Sequence, residues 1–204
     1  MHVGRNQPER VRRMDRLPAL IILLVACGKS DAPDLPSRAE GAKVAAGQKP
    51  TTDAFCDFHK TDDSGPLLQI PPVGEVKVTS KPNTWTWLNI WATWCKPCVE
   101  EMPRISKWRD KLLLNGKEVN LQFISLDDND ADVAAFAKLH PEMGTTARLA
   151  DPKSQGDWFK QLGLDASPTI PIHVFVSPTG HVRCARAGSV REQDYAAIEM
   201  LLAE

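Results

Sequence analysis

The sequence predicts an α/β sandwich built on a mixed sheet, and three observations carry that expectation. Residues 84–91 (Thr-Trp-Thr-Trp-Leu-Asn-Ile-Trp) are dense in aromatic and β-branched side chains, the composition of a strand. Beyond them, Ile105, Trp108 and Leu112 recur at helical spacing and lead to a second strand-like run at 119–126. Two later runs, 172–176 and 181–187, flank the turn sequence Ser177-Pro178-Thr179-Gly180 and read as a hairpin. Strand–helix–strand order makes the first two strands parallel with a right-handed crossover, and the hairpin adds antiparallel strands.

The elements follow in order. The 204 residues suffice for one domain with appendages, and 42% hydrophobic with 25% charged residues is an ordinary globular composition. The formal net charge of −1 offers no electrostatic basis for nucleic-acid binding. No run approaches the ~20 apolar residues of a spanning helix. Arg5, Arg10, Arg12, Arg13 and Arg16 precede a short apolar run at 17–26, the plan of a secretory signal peptide. The run ends Leu24-Val25-Ala26-Cys27-Gly28, which resembles the lipobox of bacterial lipoproteins. That resemblance implies cleavage before Cys27, a lipid on its sulfur and attachment to a membrane. A plain secretion signal, or a buried strand with an incidental cysteine, is the alternative. Residues 27–54 are rich in Ala, Pro, Gly, Ser, Lys and Asp without apolar periodicity, so they read as a flexible tether. The expected organisation is a lipoprotein-type signal peptide at 1–26, the tether at 27–54 and a folded domain at 55–204.

Within the domain, Pro103 should kink the first long helix and Asn115-Gly116 should end it. In the second strand Val119, Leu121, Phe123 and Ser125 share a face. Residues 127–130 are a turn and cap for a helix through Val133, Phe136, Ala137 and His140, stopped by Pro141. Trp158, Phe159 and Leu162 indicate a short helix, and residues 192–202 a closing one.

The chemistry centres on Trp94-Cys95-Lys96-Pro97-Cys98 at the first strand-to-helix junction. Two intervening residues bring the sulfurs within bonding reach in one helical turn. Cys95 falls at the helix N-terminus, where unpaired N–H groups and the macrodipole favour a thiolate. Such positions lower a thiol pKa to about 3.5–7.5 from near 8.5. Cys95 is therefore expected to be the exposed attacking thiolate and Cys98 the buried resolving thiol. Lys96 adds positive charge, and Pro97 stiffens the turn where a missing donor is tolerated. The rival reading of any such pair is structural zinc, which needs four ligands. Cys56 and Cys184 stand alone rather than as a second pair, so neither metal nor cofactor is expected. A purely structural disulfide is the other alternative.

The block Asn89-Ile-Trp91-Ala-Thr-Trp94-Cys95-Lys-Pro-Cys98-Val-Glu-Glu101-Met-Pro103 resembles the thioredoxin superfamily, in particular its exported TlpA/ResA-like branch. The resemblance extends over roughly residues 66–203, with the central block highly specific and the rest matching in pattern. It implies a thioredoxin-like sandwich and thiol–disulfide oxidoreductase activity. It implies that Glu101, three residues after the second cysteine, lies near the buried thiol, where a carboxyl group can take a proton. The bland reading is a solvent-facing glutamate, as expected of Glu100. It implies a cis-proline opening the hairpin's first strand. Loop length selects Pro171, with the backbone of Ile170 exposed for substrate pairing, whereas Pro168-Thr169 looks more like the family's usual dipeptide. Trp94 is expected to cover the disulfide and shape, with Lys96 and Pro97, the docking surface. Trp85, Trp87 and Trp91 are read as packing residues, and His173 as a satisfied sheet residue outside the site.

Setting aside Cys27 and the active pair leaves Cys56 and Cys184, and parity in an exported protein pairs them. One of them joining the redox relay is the alternative. The favoured function is a lipid-anchored periplasmic oxidoreductase, reducing rather than oxidising by family resemblance. Its expected partners are disulfide-containing exported proteins, apocytochromes among them, and an upstream membrane electron donor, with no nucleic acid. A copper chaperone on the same fold is the second reading, though such proteins typically carry three residues between their cysteines. A thiol peroxidase is the third, and it would want an isolated peroxidatic cysteine.

Overall fold

Strand β2 (Trp85–Trp91) is buried at six of its seven positions. That is the profile of a central strand covered on both faces. The computed structural model describes residues 51–79, 81–144 and 146–204. The signal segment, Cys27 and most of the tether lie outside the described residues. The elements run α1 (Thr52–Phe55), β1 (Phe58–His59), β2, α2 (Lys96–Leu114), β3 (Val119–Ser125), α3 (Asp130–Leu139), β4 (Thr146–Arg148), α4 (Gln155–Gln161), β5 (Ile172–Val176), β6 (Val182–Ala187) and α5 (Tyr195–Leu201). They build a six-stranded sheet in the order β1-β6-β5-β2-β3-β4. β2, β3 and β4 are parallel, and β5 and β6 join antiparallel on the other side of β2.

Register matters more than order here. Asn89 on β2 stands opposite Phe123 of β3 on one side and His173 of β5 on the other, and His173 stands opposite Arg186 of β6. Directly opposed residues project from the same face of a sheet. Trp87 and Phe175 are likewise opposed, fully buried, and stacked with ring centroids 4.9 Å apart. Each such side chain contributes roughly 1.5–3 kcal/mol by leaving water.

Helix α2 begins on Cys95 as N-cap, with Pro97 in its first turn. It continues through Pro103 without interruption and ends at Asn115. Gly116 adopts φ +75°, and the N–H of Lys117 returns to the Leu112 carbonyl at 2.9 Å, closing the helix. At the other side of the molecule Arg148 donates to both oxygens of Asp130, at 2.8 and 3.1 Å, tying α3 to β4. These hydrogen bonds hold the Asp130 carboxyl below the ordinary range.

The folded domain begins earlier than composition indicated. Residues 52–54, assigned above to the tether, belong to α1, with Thr52 and Phe55 buried. Thr51 caps the turn by accepting from Ala54 N at 3.2 Å, and Thr52 donates to Glu204 Oε1 at 3.1 Å. Phe55 meets Phe175 edge-on at 6.1 Å. Tertiary contacts therefore order a segment that has no periodic signal of its own. The short edge strands β1 and β4 escaped prediction for the same reason.

Cys56 and Cys184 are joined by a disulfide across a sequence separation of 128, with Cys184 fully buried on β6. The bond fixes the entry segment to the sheet edge where β1 pairs with β6. Removing it in a Cys56→Ala/Cys184→Ala variant is expected to cost roughly 4–5 kcal/mol on the chain-entropy model. Denaturant unfolding of oxidised wild type against the variant measures this. A difference under ~1 kcal/mol would show that the bond constrains nothing the fold does not already hold.

Candidate active site

Cys95 and Cys98 are joined by a disulfide at the start of α2, with an S–S distance of 2.00 Å. The Cys98 N–H points at Cys95 Sγ from 3.3 Å. A sulfur so placed receives a helix-terminal donor, the interaction that stabilises a thiolate after reduction. Cys98 is fully buried. Cys95, expected to be exposed, is only 5% exposed in the disulfide form. Its sulfur lies 3.8 Å from the Ile170 carbonyl oxygen, so the loop before β5 closes over it.

The surrounding residues separate into a rim and a floor. On the rim, Trp94 is 70% exposed, so its indole stands out into solvent. Lys96 is exposed and lies 3.6 Å from Glu100, which is exposed as well. A surface pair of this kind contributes little energy. Pro97 is exposed beside them. Across the disulfide, the Ile170–Pro171 bond is cis, Ile170 is half-buried and Pro171 is buried. Pro168 is not the cis residue. Gly188 N donates to the Pro171 carbonyl at 2.8 Å, which fixes this loop to the end of β6.

The floor is polar. Glu101 is 1% exposed, on the same side of α2 as Cys98 and one turn further along. Its Oε1 accepts from Asn89 Nδ2 at 3.0 Å and its Oε2 from Val190 N at 2.9 Å. His173 Nε2 lies 3.2 Å from Oε1. Glu101, Asn89, His173 and Trp87 are all buried, so they form a polar cluster sealed from water. Sequence reasoning placed Glu101 by resemblance but read Trp87 as a packing residue, assigned Asn89 no role and left His173 outside. A histidine two residues after the proline that opens a strand was the available signal. Among the described residues, no group of three or more His, Cys, Asp and Glu side chains is arranged to hold a metal ion.

Asp127, read from sequence as part of a turn, is a further residue that reasoning missed. It is 2% exposed and accepts from Thr93 N at 3.0 Å, Thr93 Oγ1 at 2.6 Å and Ser125 Oγ at 2.6 Å. Since Thr93 stands two residues before Cys95, this carboxylate ties the approach to the disulfide to the end of β3.

The profile of the AhpC/TSA family matches residues 52–185. The thioredoxin-like protein YneN of Bacillus subtilis (strain 168) is 44% identical over 54 residues, 24% of this chain and 29% of that protein. The thiol-disulfide oxidoreductase ResA of Bacillus thuringiensis (strain Al Hakam) is 42% identical over 48 residues, 24% of this chain and 25% of that one. The chain thus spans less than a third of the length of these curated relatives. The solution structure of a thioredoxin-like protein in its oxidised form superposes with a TM-score of 0.53 at 18% identity, over 68% of this chain and 95% of that chain. The sheet and its helices therefore form a thioredoxin-like fold.

Replacing Asp127 with Ala leaves the Thr93 and Ser125 donors without their acceptor. The expected cost is about 2–3 kcal/mol, read by denaturant unfolding of the oxidised protein. An Asp127→Asn variant, which keeps an acceptor, should recover part of it. Equal stability of wild type and the alanine variant would remove Asp127 from the support of this loop.

Proposed function

This chain belongs to the AhpC/TSA family, and we propose that it is a thiol–disulfide oxidoreductase exchanging electrons through Cys95 and Cys98. The observation that supports this reading is the Cys95–Cys98 disulfide itself, seated on a helix N-terminus and facing the Ile170–Pro171 backbone. The local identity to ResA, named a thiol-disulfide oxidoreductase, and to the thioredoxin-like protein YneN supports the same reading.

In the reducing direction the Cys95 thiolate attacks a substrate disulfide. It forms a mixed disulfide and releases one substrate thiolate. Cys98 then loses its proton and attacks Cys95 Sγ. The intramolecular disulfide forms, the second substrate sulfur leaves, and two electrons have passed to the substrate. Glu101 accepts the Cys98 proton. Trp94, Lys96 and Pro97 form the docking surface, and the Ile170 backbone offers strand-like pairing to the substrate segment. The substrates are disulfides of exported proteins, apocytochromes among them, and a membrane electron donor restores the dithiol. The basic and apolar N-terminal pattern supports export to the periplasm, with a lipid on Cys27 as anchor.

Wild type should catalyse reduction of insulin disulfides, Cys95→Ser should abolish it, and Cys98→Ala should accumulate mixed disulfides that a non-reducing gel resolves. The Cys95–Cys98 couple should equilibrate with glutathione nearer to about −270 mV than to about −120 mV. A potential at the oxidising end would reverse the proposed electron flow, and persistent turnover by Cys95→Ser would remove the site altogether. The anchor is tested separately by expressing the full chain in a bacterial host. Wild type should take up labelled fatty acid and sediment with membranes, and Cys27→Ala should do neither.

A further inference from the structure

The groups around Glu101 impose a direction on one another. His173 is fully buried on β5. Its Nδ1 accepts from Trp87 Nε1 at 3.2 Å, and Asn89 Nδ2 approaches the same atom at 3.4 Å. An indole N–H can only donate, so Nδ1 is the unprotonated nitrogen and the neutral ring carries its proton on Nε2. That N–H faces Glu101 Oε1 across 3.2 Å, off the axis of a well-aligned hydrogen bond but within ion-pair reach. Trp87 thus fixes the tautomer that turns the Nε2–H toward the carboxylate, at hydrogen-bond distance but without hydrogen-bond alignment.

We propose that His173 is a positioning residue for Glu101. Fixed by Trp87 as the Nε2–H tautomer, it presents a donor to the carboxylate and keeps Glu101 ionised as the acceptor for the Cys98 proton. The inference rests on the thiol–disulfide reading above and adds to it the residue that prepares the base. In the resolving step the Cys98 proton passes to the Glu101 carboxylate. The sulfur's electron pair forms the Cys98–Cys95 bond, and the Cys95–substrate bond breaks with its pair on the substrate sulfur. His173 gains and loses nothing. With Trp87 and Asn89 both presenting donors to Nδ1, a second ring proton has no acceptor to meet.

A purely structural role does not require this arrangement. An apolar side chain would fill a central-strand position without placing a ring N–H against a buried carboxylate. The titratable and charged groups facing His173 are Glu101 on α2 and its register partner Arg186 on β6. Arg186 donates to the Phe55 carbonyl at 2.7 Å and lies 4.0 Å from Asp194. From β2 the cluster receives only the neutral Asn89 and Trp87.

Two measurements test the proposal. Nitrogen-15 correlation spectra of wild type report the tautomer directly. The His173 ring should carry its proton on Nε2 and not on Nδ1. A proton on Nδ1 would overturn the proposal. Single-turnover reduction of a peptide disulfide, followed against pH, reads the consequence. His173→Leu should move the acid limb up by about one pH unit, a tenfold loss of rate at its low-pH end. His173→Gln, which retains a donor, should stay near wild type. In a Glu101→Gln background, His173→Leu should change nothing further. An unmoved profile in folded His173→Leu, or an equal shift with and without Glu101, would refute the role. If His173→Leu does not fold, the wild-type tautomer and the glutamine variant still decide. Absence of any wild-type turnover would sink the thiol–disulfide reading instead, while the tautomer spectrum continues to judge the ring.

Discussion

A carboxylate shut away from water one helical turn from the disulfide-bonded Cys98 is the constraint around which this domain is arranged. An unpaired buried charge costs several kcal/mol even after the protein relaxes, and Glu101 is 1% exposed. It is tolerated because three elements converge on it. β2 supplies Asn89, the segment after β6 supplies the Val190 N–H, and β5 brings up His173. Each donor depends on register. A one-residue slip of β5 against β2 would turn His173 to the opposite face and leave Trp87 Nε1 without its acceptor. The burial of Glu101 therefore specifies strand pairing as well as chemistry. The cluster is not fully satisfied, since Asn89 Oδ1 and His173 Nε2 are both buried without a hydrogen-bond partner among the described residues. An orphaned polar group of this kind costs about 1–3 kcal/mol. Its retention beside a redox pair is easier to understand if the cluster is chemical rather than structural.

The molecule holds two disulfides whose surroundings separate their roles. Cys56–Cys184 closes a separation of 128 residues, and neither cysteine stands at a helix N-terminus, since Cys56 is the C-cap of α1 and Cys184 lies on β6. Cys95–Cys98 closes a separation of only three and sits on the N-terminus of a 19-residue helix. The first gains most from restricting the unfolded chain. The second restricts little and is placed where a thiolate would be stabilised, which makes it the more readily reduced bond.

Much of this was legible in the sequence because it is encoded locally. The dense run at 84–91, the two-residue spacing of the cysteines, Asn115-Gly116 and the turn at Ser177-Pro178-Thr179-Gly180 each carry their structural meaning within a few residues. Strands β2, β3, β5 and β6 were found this way. What escaped depends on partners distant in sequence. β1 and β4 are two and three residues long and exist through edge pairing alone. Asp127 resembles any turn aspartate until β3 carries it to Thr93. His173 resembles any sheet residue until α2 places Glu101 against it. Periodicity reports which face a side chain occupies, not what stands opposite.

The two active-site thiols, one turn apart on α2, need opposite treatment, and the fold provides it. Cys95 caps the helix, where a helix-terminal N–H favours the anion, and the Ile170 carbonyl stands 3.8 Å from its sulfur. Cys98 lies in an apolar interior that disfavours the anion, so it cannot attack until something takes its proton. Water cannot serve at a fully buried sulfur. The Glu101 carboxylate at the next turn is the proposed acceptor, and the Asn89 amide and the Val190 N–H supply hydrogen bonds that solvent would otherwise have supplied. Exchange can then proceed in sequence. In the proposed exchange Cys95 reacts first, and the buried Cys98 thiol completes the transfer through the Glu101 carboxylate beside it.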